Sequence, residues 1–242
     1  MKVIGHRGAA GLALENTLES IKAAVDAGVD AVEFDVRLTS DGHFVLCHDE
    51  SLSRVSDQPH LIKEVAAEHI GSIILNNGEK LPTLSEALVL AGNTPVVIET
   101  KGSNWAKPLA ALLKLQPTTA ASVISFNHHE LAAFAKLAPS TPTYAIERTR
   151  PFEVIQIAKQ SQFTGVDMNF WILNPLTYWL ARRKKLEIIV YTVNFKWIAW
   201  FLSILFPRIS ITTDHPHQMQ FVRQRHKKTR RSHTRESNTR SY

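Results

Sequence analysis

The chain is long enough for one large domain, and its charge is distributed unevenly. Its 242 residues are 44% hydrophobic, so they can bury a sizeable core. Residues 223–242 hold eight Lys or Arg residues and one acidic residue, which leaves a net charge of about −1 on residues 1–222. This nearly neutral body disfavours nucleic acid as a partner. The single cysteine, Cys47, excludes an intramolecular disulfide and a cysteine-rich zinc site.

The two ends of the chain bear on where the protein works. No apolar run long enough for a signal peptide follows Met1, so we expect a cytoplasmic protein. The basic segment 223–242 lacks large aliphatic residues, and we predict that it is disordered. A solubilising role for this tail and contact with an anionic membrane surface or nucleic acid are equal alternatives. Peripheral membrane association therefore stays open.

Short β-branched runs alternate with helix-like segments along most of the chain. This alternation predicts an α/β fold, a (β/α)₈ TIM barrel with right-handed parallel crossovers, and a doubly wound open sheet is the second choice. The predicted strands are 3–4, 31–38, 95–99, 121–126, 143–146, 165–168, 187–193 and 209–212. The predicted helices are 15–27, 84–91, 106–115, 128–137, 152–160, 176–185 and 195–205.

One stretch, residues 39–83, does not fit the alternation. It is too long for a simple loop, and Ser40-Asp41-Gly42 is a turn signal between two apolar runs. We interpret it as a small insertion after the second strand, opened by a hairpin. The sequence then predicts one TIM-barrel domain over residues 1–222, with the tail outside it.

The second predicted strand carries two acidic residues on one face. Glu33 and Asp35 alternate with Val32, Phe34 and Val36, so the two sets point to opposite sides. Taken alone, this pattern fits an antiparallel strand with one wet face. In a barrel, however, the face opposite the helices points inward, and the carboxyl ends of the strands carry the active site.

The next strand repeats the arrangement with Glu99 and Lys101. Three carboxylates, Glu33, Asp35 and Glu99, would then converge at the barrel mouth. Such a set is costly without compensating charge, and its oxygen ligands suit Mg²⁺ or Ca²⁺. His6 and His48 each follow an apolar run, and both can move protons near neutral pH.

Eight short motifs occur in order across residues 3–216. They are H-R-G at 6–8, E-N-T at 15–17, GVDAVEFDVRLTSDGHFVLCHD at 28–49, LPTLSEAL at 81–88, IETK at 98–101, SFN at 125–127, YTVN at 191–194 and TTDHP at 212–216. Each motif alone is weak, but their co-occurrence is specific. Together they resemble the glycerophosphodiester phosphodiesterase family.

The resemblance implies a TIM barrel that hydrolyses glycerophosphodiesters to an alcohol and sn-glycerol 3-phosphate with a divalent cation. On these positions, Glu33, Asp35 and Glu99 match the family's metal ligands. His6 and His48 match its general base and acid. Arg7 and Lys101 match the family's phosphate-binding residues. The small-molecule partner would be a glycerophosphodiester.

Two positions depart from the family pattern. Tyr191 stands where the family usually has Trp, and His215 stands where it usually has Arg. We expect Tyr191 to bind substrate as an aromatic wall with a more polar tip. Glu15 and Asn16 are expected either to orient the charged groups or to begin a helix. These two departures leave the expectation of catalysis unchanged, but they make the preferred leaving alcohol uncertain.

The segment 197–206, WIAWFLSILF, is apolar around most of a helix. It is shorter than the roughly 20 residues that span a bilayer, and we expect a deeply packed outer helix rather than a membrane or dimer contact. Three functions stay open. They are a soluble metal-dependent glycerophosphodiesterase, a phospholipase D-like hydrolase acting on lysophospholipids at a membrane, and a non-catalytic barrel that binds anionic lipid or nucleic acid through its tail. The intact set of ionisable residues argues against the third.

Overall fold

The protein is a closed parallel barrel. The computed structural model describes residues 1–58, 60–116 and 120–222. Its strands are β1 (Lys2–Gly5), β2 (Ala31–Leu38), β3 (Phe44–Leu46), β4 (Val96–Thr100), β5 (Ala121–Ser125), β6 (Thr143–Glu147), β7 (Gly165–Asn169), β8 (Glu187–Tyr191) and β9 (Ser210–Thr213). All except β3 are parallel, and the ring closes because β1 pairs with both β2 and β9. The predicted TIM barrel is confirmed, and the open sheet was the wrong alternative.

Helices connect the parallel strands on the outside of the barrel. They are α1 (Leu18–Asp26), α3 (Leu84–Ala91), α4 (Ala106–Leu115), α5 (His128–Leu137), α6 (Pro151–Gln160), α7 (Pro175–Arg183) and α8 (Lys196–Leu205). The four-residue helix α2 (Ala67–Ile70) lies in the insertion instead. The first helix begins later than predicted. Thr17 caps it by accepting a hydrogen bond from the Ser20 amide, and Asn16 before it has a positive φ of 57°.

The strands separate an outer core from the barrel interior. On β2, Val32, Phe34 and Val36 pack in the cluster that includes the helices. A smaller apolar cluster, with Ile4, Val97, Ile124, Tyr144 and Ile189 among its members, lies inside the ring. The alternating residues Glu33 and Asp35 therefore face the interior, where they are only 2% and 1% exposed. The alternative explanation of these carboxylates, a strand with one solvent-exposed face, is therefore wrong.

The insertion after β2 has its own small core. Its hairpin pairs β3 antiparallel to β2, with Leu38 opposite Phe44, as the turn signal predicts. Residues Cys47, Leu52, Ile62 and others form a separate apolar cluster beneath short 3₁₀ helices at Leu52–Arg54 and Ile62–Glu64. This core lets the insertion hold polar side chains against the barrel mouth. The tail 223–242 lies outside the described residues.

Helix α8 differs from the expectation of a deeply packed helix. Ile198, Ala199 and Leu202 are buried against the barrel, but Trp197 is 67% exposed and Phe201 is 53% exposed. The sequence could not show this because both faces of the helix are apolar. Within the described part of the chain, no helix is long and apolar enough to cross a membrane.

We expect Cys47, the only thiol of the chain, to be unreactive in the folded protein. Its side chain is buried after β3, and burial raises the pKa of the thiol to about 11, so little thiolate forms at pH 8. Titration with a chromogenic disulfide should detect the thiol slowly in buffer and rapidly in denaturant. Fast stoichiometric reaction in buffer would contradict the placement of Cys47 in the insertion core.

Candidate active site

Three carboxylates meet where the interior opens at the carboxyl ends of the strands. Asp35 on β2 and Glu99 on β4 are partners in the parallel register, so their side chains lie side by side. One oxygen from each of Glu33, Asp35 and Glu99 can be chosen so that all three lie within 4.8 Å of one another. Two adjacent strands thus bring together the acidic set that the sequence predicted.

Two cations compensate this cluster. The Lys101 ammonium lies 3.0 Å from Asp35 Oδ1 and also pairs with Glu99 Oε1. On the other side, Arg7 Nε lies 3.2 Å from Asp35 Oδ2, and the Arg7 backbone amide donates to Glu33 Oε2 at 2.8 Å. Asn16 completes the shell of Asp35 by donating its amide to Oδ2 at 2.9 Å. Asp35 is therefore the most strongly held of the three carboxylates.

The three carboxyl groups differ in protonation because their compensation differs. Burial, together with Asp35 and Glu99, holds the pKa of Glu33 well above its usual value. Burial, with Asp35, raises the pKa of Glu99 to about 7. Burial also opposes ionisation of Asp35, but Lys101, Arg7, His48 and the Asn16 hydrogen bond together outweigh burial and lower the pKa of that group. Glu33 and Glu99 can therefore hold protons. A divalent cation bound by these carboxylates would displace those protons.

The acidic cluster has the features of a site for a hard cation. Glu33 Oε1 is buried and has no hydrogen-bond partner among the described residues. A buried carboxylate oxygen without a partner is costly unless a proton or metal ion binds it. The donor set contains only carboxylate oxygens, which Mg²⁺ and Ca²⁺ prefer. The residues present therefore fit a divalent cation.

His6 lies just beyond β1 and is held by Asp214, which follows β9. His6 Nδ1 and Asp214 Oδ1 are 2.6 Å apart. The Asp214 carboxylate also accepts a hydrogen bond from the Asn194 side-chain amide, while the Asp214 backbone amide donates to Asn194 Oδ1 at 2.9 Å. Burial raises the pKa of Asp214, but the hydrogen bond and charge of His6, together with the Asn194 hydrogen bond and the charge of His215, outweigh burial, and the pKa lies below its usual value. An ionised Asp214 fixes the orientation of the His6 ring and leaves Nε2 for chemistry.

His48 is held in the same manner by the insertion. Its Nδ1 lies 2.6 Å from Asp49 Oδ1, and Arg54 donates to the other Asp49 oxygen at 2.6 Å. Burial lowers the pKa of His48, and Lys101 lowers it further against the opposing effect of Asp35. The pKa of His48 therefore depends on the charges of the acidic cluster.

A polar network ties the insertion to the barrel. Arg54 donates to Glu15 Oε1 at 2.8 Å, and Arg7 donates to the same oxygen at 2.7 Å. Glu15 thus joins His48 and its partners to the cations at the cluster. This contact, and the pairing of Asn16 with Asp35, favour the orienting role over a simple helix start.

Tyr191 ends β8 and contacts Glu147, which lines a cavity of about 420 Å³. Its hydroxyl donates to the Glu147 carbonyl at 3.3 Å, and burial raises its pKa. The cavity is lined by Phe126, His128, Ile146, Glu147, Arg148 and Arg150. It adjoins the acidic cluster, because Lys101 Nζ lies 5.9 Å from the centroid of the Phe126 ring.

Sequence reasoning assigned no role to several side chains at the site. Asp214 and Asn194 stand within the quoted TTDHP and YTVN motifs, so their motif membership was a usable signal. Arg54 gave no signal, because nothing local indicates that it reaches Asp49 and Glu15. Asp167 on β7 was also missed. It is buried inside the barrel, and burial, with Glu99, raises its pKa well above the usual value.

The fold and the cluster define a TIM-barrel protein with a compensated acidic site and two carboxylate-paired histidines that follow β1 and β3. The family described as glycerophosphoryl diester phosphodiesterase matches residues 6–225 of the chain. The protein belongs to this family, as its motifs indicate.

Individual relatives agree with this assignment. A glycerophosphodiester phosphodiesterase of Caldanaerobacter subterraneus subsp. tengcongensis is 33% identical over 152 residues, which are 57% of this chain and 63%, less than two thirds, of that protein. A lysophospholipase D of Homo sapiens is 34% identical over 116 residues, 43% of this chain and 37% of that protein. The structure of an Oleispira antarctica phosphodiesterase, in complex with the product sn-glycerol-3-phosphate, matches with a TM-score of 0.84 at 24% identity, covering 92% of this chain and 96% of that one. This structural likeness supports the fold.

We expect Asp214→Asn to lower kcat for a glycerophosphodiester by roughly 10- to 100-fold with little change in KM, since the variant loses the charge that orients His6. The pH dependence of kcat should change as well, which a merely structural role would not cause. Steady-state kinetics across pH measures both.

A matched control is Asp41→Asn, because Asp41 also pairs with a histidine, His43 at 3.1 Å, but in the hairpin. Its kinetics should resemble the wild type. Unchanged kcat and pH profile in folded Asp214→Asn protein would show that the His6 contact has no positioning role.

Proposed function

We propose that the protein is a metal-dependent phosphodiesterase that hydrolyses glycerophosphodiesters to an alcohol and sn-glycerol 3-phosphate. The observation that carries this proposal is the acidic cluster, whose Glu33 Oε1 has no partner among the described residues, together with the carboxylate-paired His6 and His48. Family membership and the product bound in the Oleispira relative supply the substrate class. The acidic set is difficult to explain as a purely structural feature.

The phosphate of the substrate would lie at the edge of this cluster. A phosphodiester carries one negative charge and gains more as a pentacoordinate transition state forms, so fixed cations stabilise it where charge develops. Arg7 and Lys101 are basic groups at the cluster, and both are mostly buried and in contact with Asp35. Glu33, Asp35 and Glu99 would hold the divalent cation, which would supply further stabilisation of negative charge on the phosphate oxygens.

The two histidines would divide the proton transfers. Hydrolysis needs a base for the attacking hydroxyl and an acid for the departing alcohol. His6 and His48 have their Nδ1 atoms occupied by Asp214 and Asp49, so each would use Nε2. A carboxylate partner stabilises the protonated imidazole that forms when a histidine takes a proton.

The substrate's own glycerol 2-hydroxyl is the favoured nucleophile. It is tethered beside the phosphorus atom, so little translational entropy is lost in reaching attack geometry. Attack would form a 1,2-cyclic phosphate and release the alcohol. Water would then open the ring, with the two histidines exchanging their roles.

The second candidate is hydrolysis of lysophospholipids, which breaks the same bond in a substrate that carries an acyl chain. The lysophospholipase D relative and the exposed apolar face of α8 favour it. Comparing choline release from glycerophosphocholine and from lysophosphatidylcholine decides between them. The basic segment 223–242 is retained as a proposed contact with anionic membrane surfaces.

Removal of metal should abolish turnover, and Mg²⁺ or Ca²⁺ should restore it. We further expect Glu99→Gln to weaken metal affinity more than about tenfold, since it removes one charged ligand from the cluster. Calorimetric titration of the chelated protein measures the affinity, and a thermal melt checks that the barrel remains folded.

Glu68→Gln is the matched control, because the Glu68 side chain is largely exposed on the insertion. It should bind metal as the wild type does. Full turnover by protein that elemental analysis shows to be free of metal would refute the metal requirement.

His6→Ala and His48→Ala should each lower kcat for glycerophosphocholine by roughly 10²- to 10⁴-fold, because each removes one proton-transfer group. Release of sn-glycerol 3-phosphate measures turnover, and metal titration confirms that the site is intact. The surface variant His43→Ala should remain active.

A 2-deoxy analogue of the glycerol moiety tests the nucleophile in the same assay. It lacks the internal hydroxyl and should bind without being cleaved. Near-normal hydrolysis of the analogue would exclude the cyclic route and indicate direct attack by water. If His6→Ala and His48→Ala both retained normal activity, neither histidine would take part in the mechanism.

A further inference from the structure

Helix α8 presents an apolar stripe to the outside of the barrel. Trp197, Trp200, Phe201, Ile204 and Leu205 recur at helical spacing and are each 46% to 67% exposed. From Trp197 to Leu205, nine residues, this stripe runs about 12 Å along the helix. Phe195, just before the helix, is 62% exposed and extends the stripe toward the barrel mouth. Large exposed residues in such a continuous arrangement mark an interaction surface.

Cations flank both ends of the stripe. Lys196 lies at the beginning of α8 and Arg208 follows its end. Both α7 and α8 run antiparallel to the strands, so both helices end on the same side of the barrel. The basic residues at and after the end of α7 therefore lie on the same side as Arg208; they are Arg182, Arg183, Lys184 and Lys185. The Tyr178 and Phe206 rings, 5.0 Å apart, join α7 to the end of α8.

The charge of this region is opposite to that of the rest of the barrel. Residues 170–213 contain six Lys or Arg residues and one acidic residue, Glu187, a net charge of +5. Glu187 accepts a hydrogen bond from the Tyr144 hydroxyl at 2.8 Å. Residues 1–169 and 214–222 together carry a net charge of −6. The body is nearly neutral overall but strongly polarised, a feature that the total charge conceals.

This uneven charge distribution distinguishes between two candidate partners for the stripe, a second copy of the chain and an anionic lipid bilayer. In a two-fold dimer formed through α8, the cations at both ends of each stripe would lie near those of the second copy. An anionic lipid bilayer has complementary charge, and tryptophan is enriched at the membrane–water boundary. Apolar side chains flanked by Lys and Arg are also the pattern of helices that lie in the plane of that boundary.

We propose that the α8 face, defined by Trp197, Trp200, Phe201, Ile204 and Leu205, docks the protein on anionic lipid bilayers. The stripe enters the headgroup region, and the flanking cations contact anionic headgroups. The barrel then lies on its side, with Phe195 placing one edge of the mouth near the lipid surface. The proposal does not depend on the substrate of the site.

Vesicle binding by the full-length chain tests this docking. The probes are vesicles of phosphatidylcholine alone and vesicles with equal parts of phosphatidylglycerol, separated from free protein by sedimentation. Trp197→Ser/Trp200→Ser should weaken binding to the anionic vesicles at least tenfold and leave kcat for glycerophosphocholine unchanged. Brominated lipids should quench the tryptophan fluorescence of the wild type.

Two further variants complete the experiment. Val89→Ser/Leu115→Ser removes two strongly exposed apolar residues from other helices and should bind as the wild type does. Lys184→Glu/Lys185→Glu keeps the stripe intact and should also weaken binding to anionic vesicles, which provides a test if the tryptophan variant does not fold.

Two results would overturn the proposal. Binding that is unchanged in both the tryptophan and the lysine variants, without fluorescence quenching, would assign lipid contact to the tail alone. A lipid-independent dimer, seen by light scattering and lost in the tryptophan variant, would make a second copy the occupant of the stripe.

Discussion

Burial of three carboxylates inside the barrel is the constraint on which the rest of the site depends. Glu33, Asp35 and Glu99 approach one another within 4.8 Å in a region from which the strands exclude most water. Like charges at this distance are strongly unfavourable at low dielectric unless cations or protons compensate them. Arg7 and Lys101 supply that compensation, and both are themselves largely buried by the contact.

The same constraint explains the backbone at the mouth. Arg7 has a φ of 49° and Asn16 a φ of 57°, in the left-handed region that costs a non-glycine residue of order 1 kcal/mol or more. These conformations persist because each residue gains a contact with a buried carboxylate. Gly8, at φ 86°, follows Arg7, and a Cβ there would lie 2.3 Å from Ser20 Oγ, so α1 can approach only because that position is glycine.

Prediction from sequence succeeded where periodicity carried the information. The alternation on β2 placed Glu33 and Asp35 inside, and Ser40-Asp41-Gly42 gave the hairpin. It could not show that His6 pairs with Asp214, 208 residues later, because closure of the barrel brings them together. The role of Arg54 could not be predicted either, because its contact with Glu15 depends on how the insertion folds against the barrel. The outward stripe of α8 was missed because apolar residues occupy both faces of this helix, so their positions alone do not show which face packs on the barrel.

The electrostatics of the cluster connect metal binding with substrate binding in the proposed function. With all three carboxylates ionised, Arg7 and Lys101 leave the group with a net charge of −1, which would repel a phosphodiester. The raised pKa values of Glu33 and Glu99 show that protons are the alternative compensation. A divalent cation that displaced them would bring the group to a net charge of +1 and attract the substrate. Because those protons must leave first, metal affinity would rise with pH through the titration of Glu99.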